Sequence, residues 1–203
     1  MNSLVAGQVD NAFVMIIAIS VILLAAITAA MIYFIIKYHW RKHPTAEHVE
    51  EKPWLEITWT TIPTILVLGM FWFGYDGFRM MRTVPDGAMT VKVTARMWSW
   101  SFEYANGITS DKLYVPIKKP VKLLLTSLDV IHGFYLPAFR IKEDVVPGKE
   151  NYLWFEPLIK GEFDIFCSQY CGQRHSYMLT KAVVIEEADF KKWYDNGGQG
   201  APQ

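Results

Sequence analysis

AFVMIIAISVILLAAITAAMIYFII, residues 12–36, decides how the rest of the chain is read. It carries no charge, and only Ser20 and Thr28 are clearly polar. At 1.5 Å per residue it makes roughly 37 Å of helix, enough to cross a hydrocarbon core of about 30 Å with some tilt. A cleaved signal peptide is the competing reading. It fits poorly, because no positive segment precedes the run and the run is too long for the apolar part of a signal. A second apolar stretch, ITWTTIPTILVLGMFWFGY, covers 57–75. At roughly 28 Å it is just long enough to span. The two runs predict a transmembrane hairpin within residues 1–82, with helices over about 12–36 and 57–80. Pro63 is expected to kink the second helix, which a membrane helix tolerates when neighbours satisfy the freed carbonyl. Thr58, Thr60, Thr61 and Thr64 either bond back to their own helix or face a partner helix.

The loop between the runs, 37–53, carries Lys37, Arg41, Lys42 and Lys52, whereas residues 1–11 carry no Lys or Arg. The excess of cations places this loop in the cytoplasm. The N-terminus and everything after the second helix then lie on the outer, periplasmic side. Trp40, Trp54, Trp59 and Trp72 fall near the ends of the runs, where interfacial Trp is expected.

From about Val84 the pattern changes. MTVKVTA (89–95) and MWSWSFEY (97–104) alternate with period two, the latter with Trp98, Trp100, Phe102 and Tyr104 on one face. VKLLLTS, GFYLPAF, NYLWFEP, EFDIF and MLTKAVVI follow, separated by Pro, Gly, Asn and Asp. Many short strands with turn signals predict an all-β sandwich or barrel over 83–196. A short helix at 187–195 closes it, and 197–203, GGQGAPQ, reads as a disordered tail. The 203 residues are 52% hydrophobic and 20% charged, with Lys+Arg and Asp+Glu at 20 each. That balance excludes a disordered chain and lacks the basic footprint of a nucleic-acid binder. Two Cys are too few for a disulfide scaffold.

The chemistry is concentrated in CSQYCGQRHSYM, residues 167–178. Cys167, Cys171, His175 and Met178 follow at spacings of four, four and three. Two thiolates, an imidazole and a thioether suit a soft metal, and a Cys-His-Met loop resembles a copper site. Zinc is a poor match, because structural zinc sites use Cys and His rather than Met. A second thiolate can bridge two copper ions, which points to a dinuclear centre. Each residue also has an ordinary reading: a disulfide for the cysteines, core filling for Met178, a surface position for His175. The four together on one short loop argue against those readings. Of five histidines, 39, 43 and 48 lie in the cytoplasmic loop, which leaves His132 in SLDVIHGFYLP as the second imidazole. Asp129, three residues before it, either orients a ligand or caps its turn.

These features resemble subunit II of cytochrome c oxidase, in the haem-copper oxidase superfamily. The resemblance covers nearly the whole chain: two helices, LEITWTTIPT (55–64), MWSWSFEY, SLDVIH, FRIKEDVVPG (139–148) and CSQYCGQRHSYM. It implies a Greek-key, cupredoxin-like barrel carrying the dinuclear copper centre CuA. Implied metal ligands are His132, Cys167, Cys171, His175, Met178 and the backbone carbonyl of Gln169. Trp98 matches the tryptophan where electrons enter from a docked c-type cytochrome. Glu56 matches the acid at the mouth of a proton pathway, although a carboxylate at a helix N-terminus also suits the helix dipole. Implied partners are membrane lipid, subunit I with its haem and CuB, and subunit III, in a bacterial plasma membrane.

The chain departs from the family pattern at a few positions. Gln169 stands where most members have a Glu that binds magnesium at the subunit I interface, and an amide is a weaker ligand for a hard cation. Met97 and Ser99 replace the Gln and Tyr usual around Trp98. There is no Cys-x-x-Cys-His, hence no fused haem. The leading expectation is electron transfer from a cytochrome to CuA and on to subunit I, where O2 is reduced to water with proton translocation. The alternatives are the CuA donor subunit of a nitric oxide reductase, and a stand-alone membrane-tethered copper-binding module. Residues 83–203 carry fourteen basic and fourteen acidic groups. A neutral domain gives little long-range steering, so docking is expected to rest on a local patch around Trp98.

Overall fold

A computed structural model describes residues 3–45, 48 and 50–200. The chain divides into two compact units, Asp10–Asp76 and Met1–Val9 with Gly77–Gln203. Helix α1 runs Leu4–Lys37 and α2 runs Pro53–Arg82. Both are long and apolar enough to cross a membrane. Their large side chains are bare: Leu24 is 66% exposed, Phe71 64% and Trp72 73%. An apolar surface all round a helix is what lipid requires.

The helices begin earlier than the hydropathy predicted. α1 includes the polar Gln8, Asp10 and Asn11. Its start is set by Ser3, whose Oγ accepts the Ala6 N–H at 3.0 Å, an N-cap that hydropathy does not register. α2 opens at Pro53, a residue preorganised for the first helical position. α2 continues through Pro63. Thr58 and Thr64 donate to the carbonyls of Trp54 and Thr60, at 2.7 and 2.6 Å, the self-bonded arrangement.

The second unit holds ten strands: β1 Met89–Arg96, β2 Ser99–Tyr104, β3 Thr109–Ser110, β4 Leu113–Pro116, β5 Val121–Ser127, β6 His132–Leu136, β7 Ile141–Val145, β8 Asn151–Phe155, β9 Gly161–Cys167 and β10 Leu179–Ile185. They form two five-stranded sheets, ordered β3-β2-β1-β5-β8 and β4-β10-β9-β6-β7. β1 pairs parallel with β5 and β4 with β10, and the other pairings are antiparallel. Alternation works as expected in β1 and β5, where Val91, Val93, Leu123 and Leu125 are buried. Phe102, Phe134, Phe139, Phe155 and Ile165 fill the space between the sheets. This is the cupredoxin-like architecture expected. The GFYLPAF segment is a strand only to Leu136, because Pro137 opens a 3-10 turn. The closing helix, α3 Glu187–Asp195, buries Phe190 and Trp193. Of the predicted tail, Gly198 donates its N–H to the Trp193 carbonyl at 3.0 Å, and 201–203 lie outside the described residues.

Candidate metal centre

Strand pairing assembles the site. β6 and β9 are antiparallel with Phe134 opposite Cys167. His132, at the start of β6, therefore lies beside the chain leaving β9. The Ser168 N–H donates to the Gly133 carbonyl at 2.9 Å and locks that approach. The approach needs a glycine. A Cβ at Gly133 would collide with Ser168 Oγ and come within 3.0 Å of Gln169 Cγ and 3.2 Å of the Gln169 nitrogen. The loop then returns to β10, where Leu179 pairs with Phe166. Its two ends are thus fixed on neighbouring strands, and its ligating side chains converge at the strand ends.

Six sulfur, nitrogen and oxygen donors meet there. Cys167 Sγ lies 3.7 Å from Cys171 Sγ, 3.8 Å from His132 Nδ1 and 3.2 Å from the Gln169 carbonyl oxygen. Cys171 Sγ lies 3.5 Å from His175 Nδ1 and 3.8 Å from Met178 Sδ. A sulfur–sulfur separation of 3.7 Å is far beyond the roughly 2.05 Å of a disulfide, and both thiols are free. His132, Cys167 and Cys171 form a buried group able to hold a metal ion. Met178 and His132 are fully buried, and His175 is partly exposed. Burial, then the neighbouring Cys167, pushes the Cys171 thiol up to about 12. Metal uptake here must therefore release a proton.

Asp129 caps its turn and also contacts the His132 ring. Its Oδ1 accepts the Val130 N–H at 2.6 Å and faces His132 Nε2 at 2.8 Å, while Oδ2 accepts the Met97 N–H at 2.6 Å. Burial alone would raise its pKa, but hydrogen bonds from Met97, His132 and Val130 outweigh that and hold it at about 2. A carboxylate on Nε2 leaves Nδ1 turned to the sulfurs, the usual way a ligating imidazole is oriented. Trp98 donates from Nε1 to the Cys171 carbonyl at 3.1 Å. Its ring packs against Gly172, whose φ of +112 favours glycine and where a Cβ would lie only 3.3 Å from Trp98 Cζ2.

The donor set fits copper: two thiolates, two imidazoles, a thioether and a carbonyl. Gln169 turns its Nε2 to Asp144 Oδ1 at 2.9 Å, so the donor end of its amide is satisfied within the chain. Glu56 lies in the other unit, exposed in the first turn of α2. Gly133, Ser168, Gly172 and Asp144 escaped the sequence reading. The two glycines and Ser168 each directly follow a candidate ligand, His132, Cys171 and Cys167, whereas Asp144 lies far from all of them in sequence.

A family described as cytochrome c oxidase subunit II, periplasmic domain, matches residues 107–187, and the transmembrane domain of the same subunit matches 3–74. The alternative cytochrome c oxidase subunit 2 of Bradyrhizobium diazoefficiens is 30% identical over 93% of this chain and 80% of its own length. The chain belongs to the cytochrome c oxidase subunit II family. Among solved structures, the periplasmic domain of subunit II of cytochrome oxidase from Bradyrhizobium japonicum is similar, with 31% identity and a TM-score of 0.54. That match covers 57% of this chain and 96% of the other. A mixed disulfide between a thioredoxin-like protein and subunit II of cytochrome c oxidase is also similar, at 30% identity and a TM-score of 0.52, covering 58% and 96%. As a subunit II, the chain is the membrane-anchored, periplasmic electron-transfer part of a copper-containing oxidoreductase complex.

Proposed function

We propose that this subunit II carries a dinuclear CuA centre held by His132, Cys167, the Gln169 carbonyl, Cys171, His175 and Met178. When bound, that centre supplies one-electron storage between a c-type cytochrome and the haem and CuB of subunit I, where O2 is reduced to water. The observation that carries the reading is the pair of unjoined thiols 3.7 Å apart, each with its own imidazole within 3.8 Å. One thiol with two imidazoles would suit a single ion, whereas this doubled arrangement suits two.

The chain's own residues do the positioning. Asp129 orients His132. Trp98 links the surface to the Cys171 backbone and is the point where electrons enter. Glu56, at the start of α2, feeds protons toward subunit I. Subunit I and subunit III cover parts of the membrane helices, with lipid on the remainder, in a bacterial plasma membrane. The thioredoxin-like protein trapped on a related subunit II supports a further requirement. Adjacent thiols in an oxidising compartment need a reductant before they can take up copper.

Electron paramagnetic resonance of the copper-loaded chain tests the assignment. One electron shared between two equivalent copper nuclei gives a multi-line hyperfine pattern, and Cys171→Ser abolishes it. A four-line, single-copper spectrum from the unmodified chain would overturn the proposal.

A further inference from the structure

We infer that the electron donor docks on a cationic cleft over Trp98 and presents carboxylates to it. This rests on the reading of the cluster as an electron-transfer centre. It adds the charge type of the partner.

The cleft has a volume of about 370 Å³ and is lined by Arg96, Met97, Trp98, Ser99, Arg174 and Tyr177. Trp98 forms its floor and is hydrogen-bonded to the backbone of Cys171, so the indole bridges the cleft and the thiol cluster. No carboxylate lines it. Arg96 donates from Nε to Ser99 Oγ at 3.2 Å. Among the described residues neither Arg96 nor Arg174 is in an ion pair, whereas Lys92, Lys119, Lys160, Lys181 and Lys192 all are. The domain is neutral in total, and Asp111, which lines the adjoining groove with Arg96, forms no ion pair with it. The nearby carboxylate, Asp129, is committed to two backbone N–H groups and His132 and is 23% exposed. Two uncompensated guanidinium groups on one rim favour a partner with carboxylates.

The surroundings supply the apolar part of a docking face. Met97 is 46% exposed, Tyr177 74% and Tyr170 81%, with Leu128 and Ile131 bare on the loop leading to His132. Large apolar side chains gathered on the loops around a redox cluster mark an interaction site. A second copy of this face would bring like charges together, and a lysine-rimmed donor would meet the same repulsion. The occupant is therefore an acid-rimmed, one-electron donor protein with an apolar contact centre.

The test uses the purified oxidase complex and two reduced c-type cytochromes, one rimmed by carboxylates and one by lysines. The expected result is that the acid-rimmed donor is oxidised with at least tenfold higher kcat/KM at low salt, a preference that fades as salt rises, as for steered association. Arg96→Gln with Arg174→Gln lowers that kcat/KM roughly tenfold and flattens its salt dependence. Arg→Lys at both positions restores the salt slope. Lys191→Gln, on α3, leaves donor kinetics unchanged. A preference for the lysine-rimmed donor, or an unaltered salt slope in the double Gln variant, overturns the inference. The copper spectrum of the same samples separates the two levels. Absence of the dinuclear signal removes the electron-transfer reading and this inference with it, and its presence with no donor preference removes the docking inference alone.

Discussion

Gly133→Ala tests whether the ligand loop is held by backbone contact rather than by its side chains alone. The new Cβ meets Ser168 Oγ, Gln169 Cγ at 3.0 Å and the Gln169 nitrogen at 3.2 Å. The Ser168 hydroxyl can turn away. It is buried with no hydrogen-bond partner among the described residues, so turning costs it no bond. The Gln169 backbone has no such freedom, since its neighbour's N–H is tied to the Gly133 carbonyl. The segment carrying Cys167 and the Gln169 carbonyl must shift by a few tenths of an ångström. Overpacking of this kind costs about 1–3 kcal/mol. Ser168→Ala removes the Oγ contact and a buried, unpartnered hydroxyl, and is expected to stabilise by about 1 kcal/mol. The Gln169 contacts remain, so in the double variant the two effects should add within about 0.5 kcal/mol. Urea unfolding of the detergent-solubilised chain, followed by near-ultraviolet circular dichroism, gives the four stabilities. Copper hyperfine splitting reports the displaced carbonyl. Gly133→Ala within about 0.5 kcal/mol of the parent with an unchanged spectrum, or a coupling above about 1 kcal/mol between the two changes, would refute the account.

Two further outcomes follow from polar groups held by several hydrogen bonds. Asp129→Asn keeps an acceptor but loses charge-assisted bonds, and should destabilise by about 1–2 kcal/mol near neutral pH. Because the Asp129 carboxyl is lowered from 3.8 to about 2, its contribution is present above pH 3.8 and is lost as pH falls toward 2. The stability difference between parent and variant should close over that interval in acid titrations, and a constant difference would exclude the carboxylate as its source. Tyr104→Phe should cost about 2–3 kcal/mol in thermal unfolding. The Tyr104 hydroxyl donates to the Tyr114 carbonyl at 2.9 Å and accepts its N–H at 2.7 Å, so its removal strands two buried backbone groups. A loss below about 0.5 kcal/mol would mean water replaces it.

What could be read from the sequence was whatever local spacing encodes. The soft donors lie within twelve residues, and the metal loop needed only one distant partner, His132. The inward face of Trp100, Phe102 and Tyr104 followed from period two, and all three are buried. Trp98 precedes that strand and is only partly covered, which is why it can serve a surface cleft. β3 and β4 carried no usable signal. β3 has two residues, and β4, LYVP, is buried at every position because α3 and the neighbouring strand cover it. Its partner is β10, about seventy residues away and parallel. The early start of α1 was invisible because an N-cap acts through one hydroxyl, while hydropathy averages over Gln8, Asp10 and Asn11. The Gln169–Asp144 bond joins residues 25 apart, a pairing that no motif of this length contains.

The same contacts that escaped the sequence explain how an eleven-residue loop can hold a redox centre steady. Residues 168–178 join two paired strands, so the loop is closed by the Leu179–Phe166 register before any ligand contributes. Three ties from outside then divide it: Ser168 to Gly133, Gln169 to Asp144 and the Cys171 carbonyl to Trp98. The longest untied stretch, Gly172–Met178, is shortened by a 3-10 turn at His175–Tyr177, and His175 and Met178, three residues apart, both reach Cys171 Sγ. Loop entropy is thus removed by protein contacts rather than by metal bonds. If these side chains hold the proposed copper pair, a set fixed in this way would change little when one electron arrives or leaves, which is what fast transfer requires. The tie through Cys171 also makes the docking floor part of the same framework. On the proposed docking reading, a donor over Trp98 would meet a ring already bonded to the Cys171 backbone, so the cleft shares one of the loop's three ties.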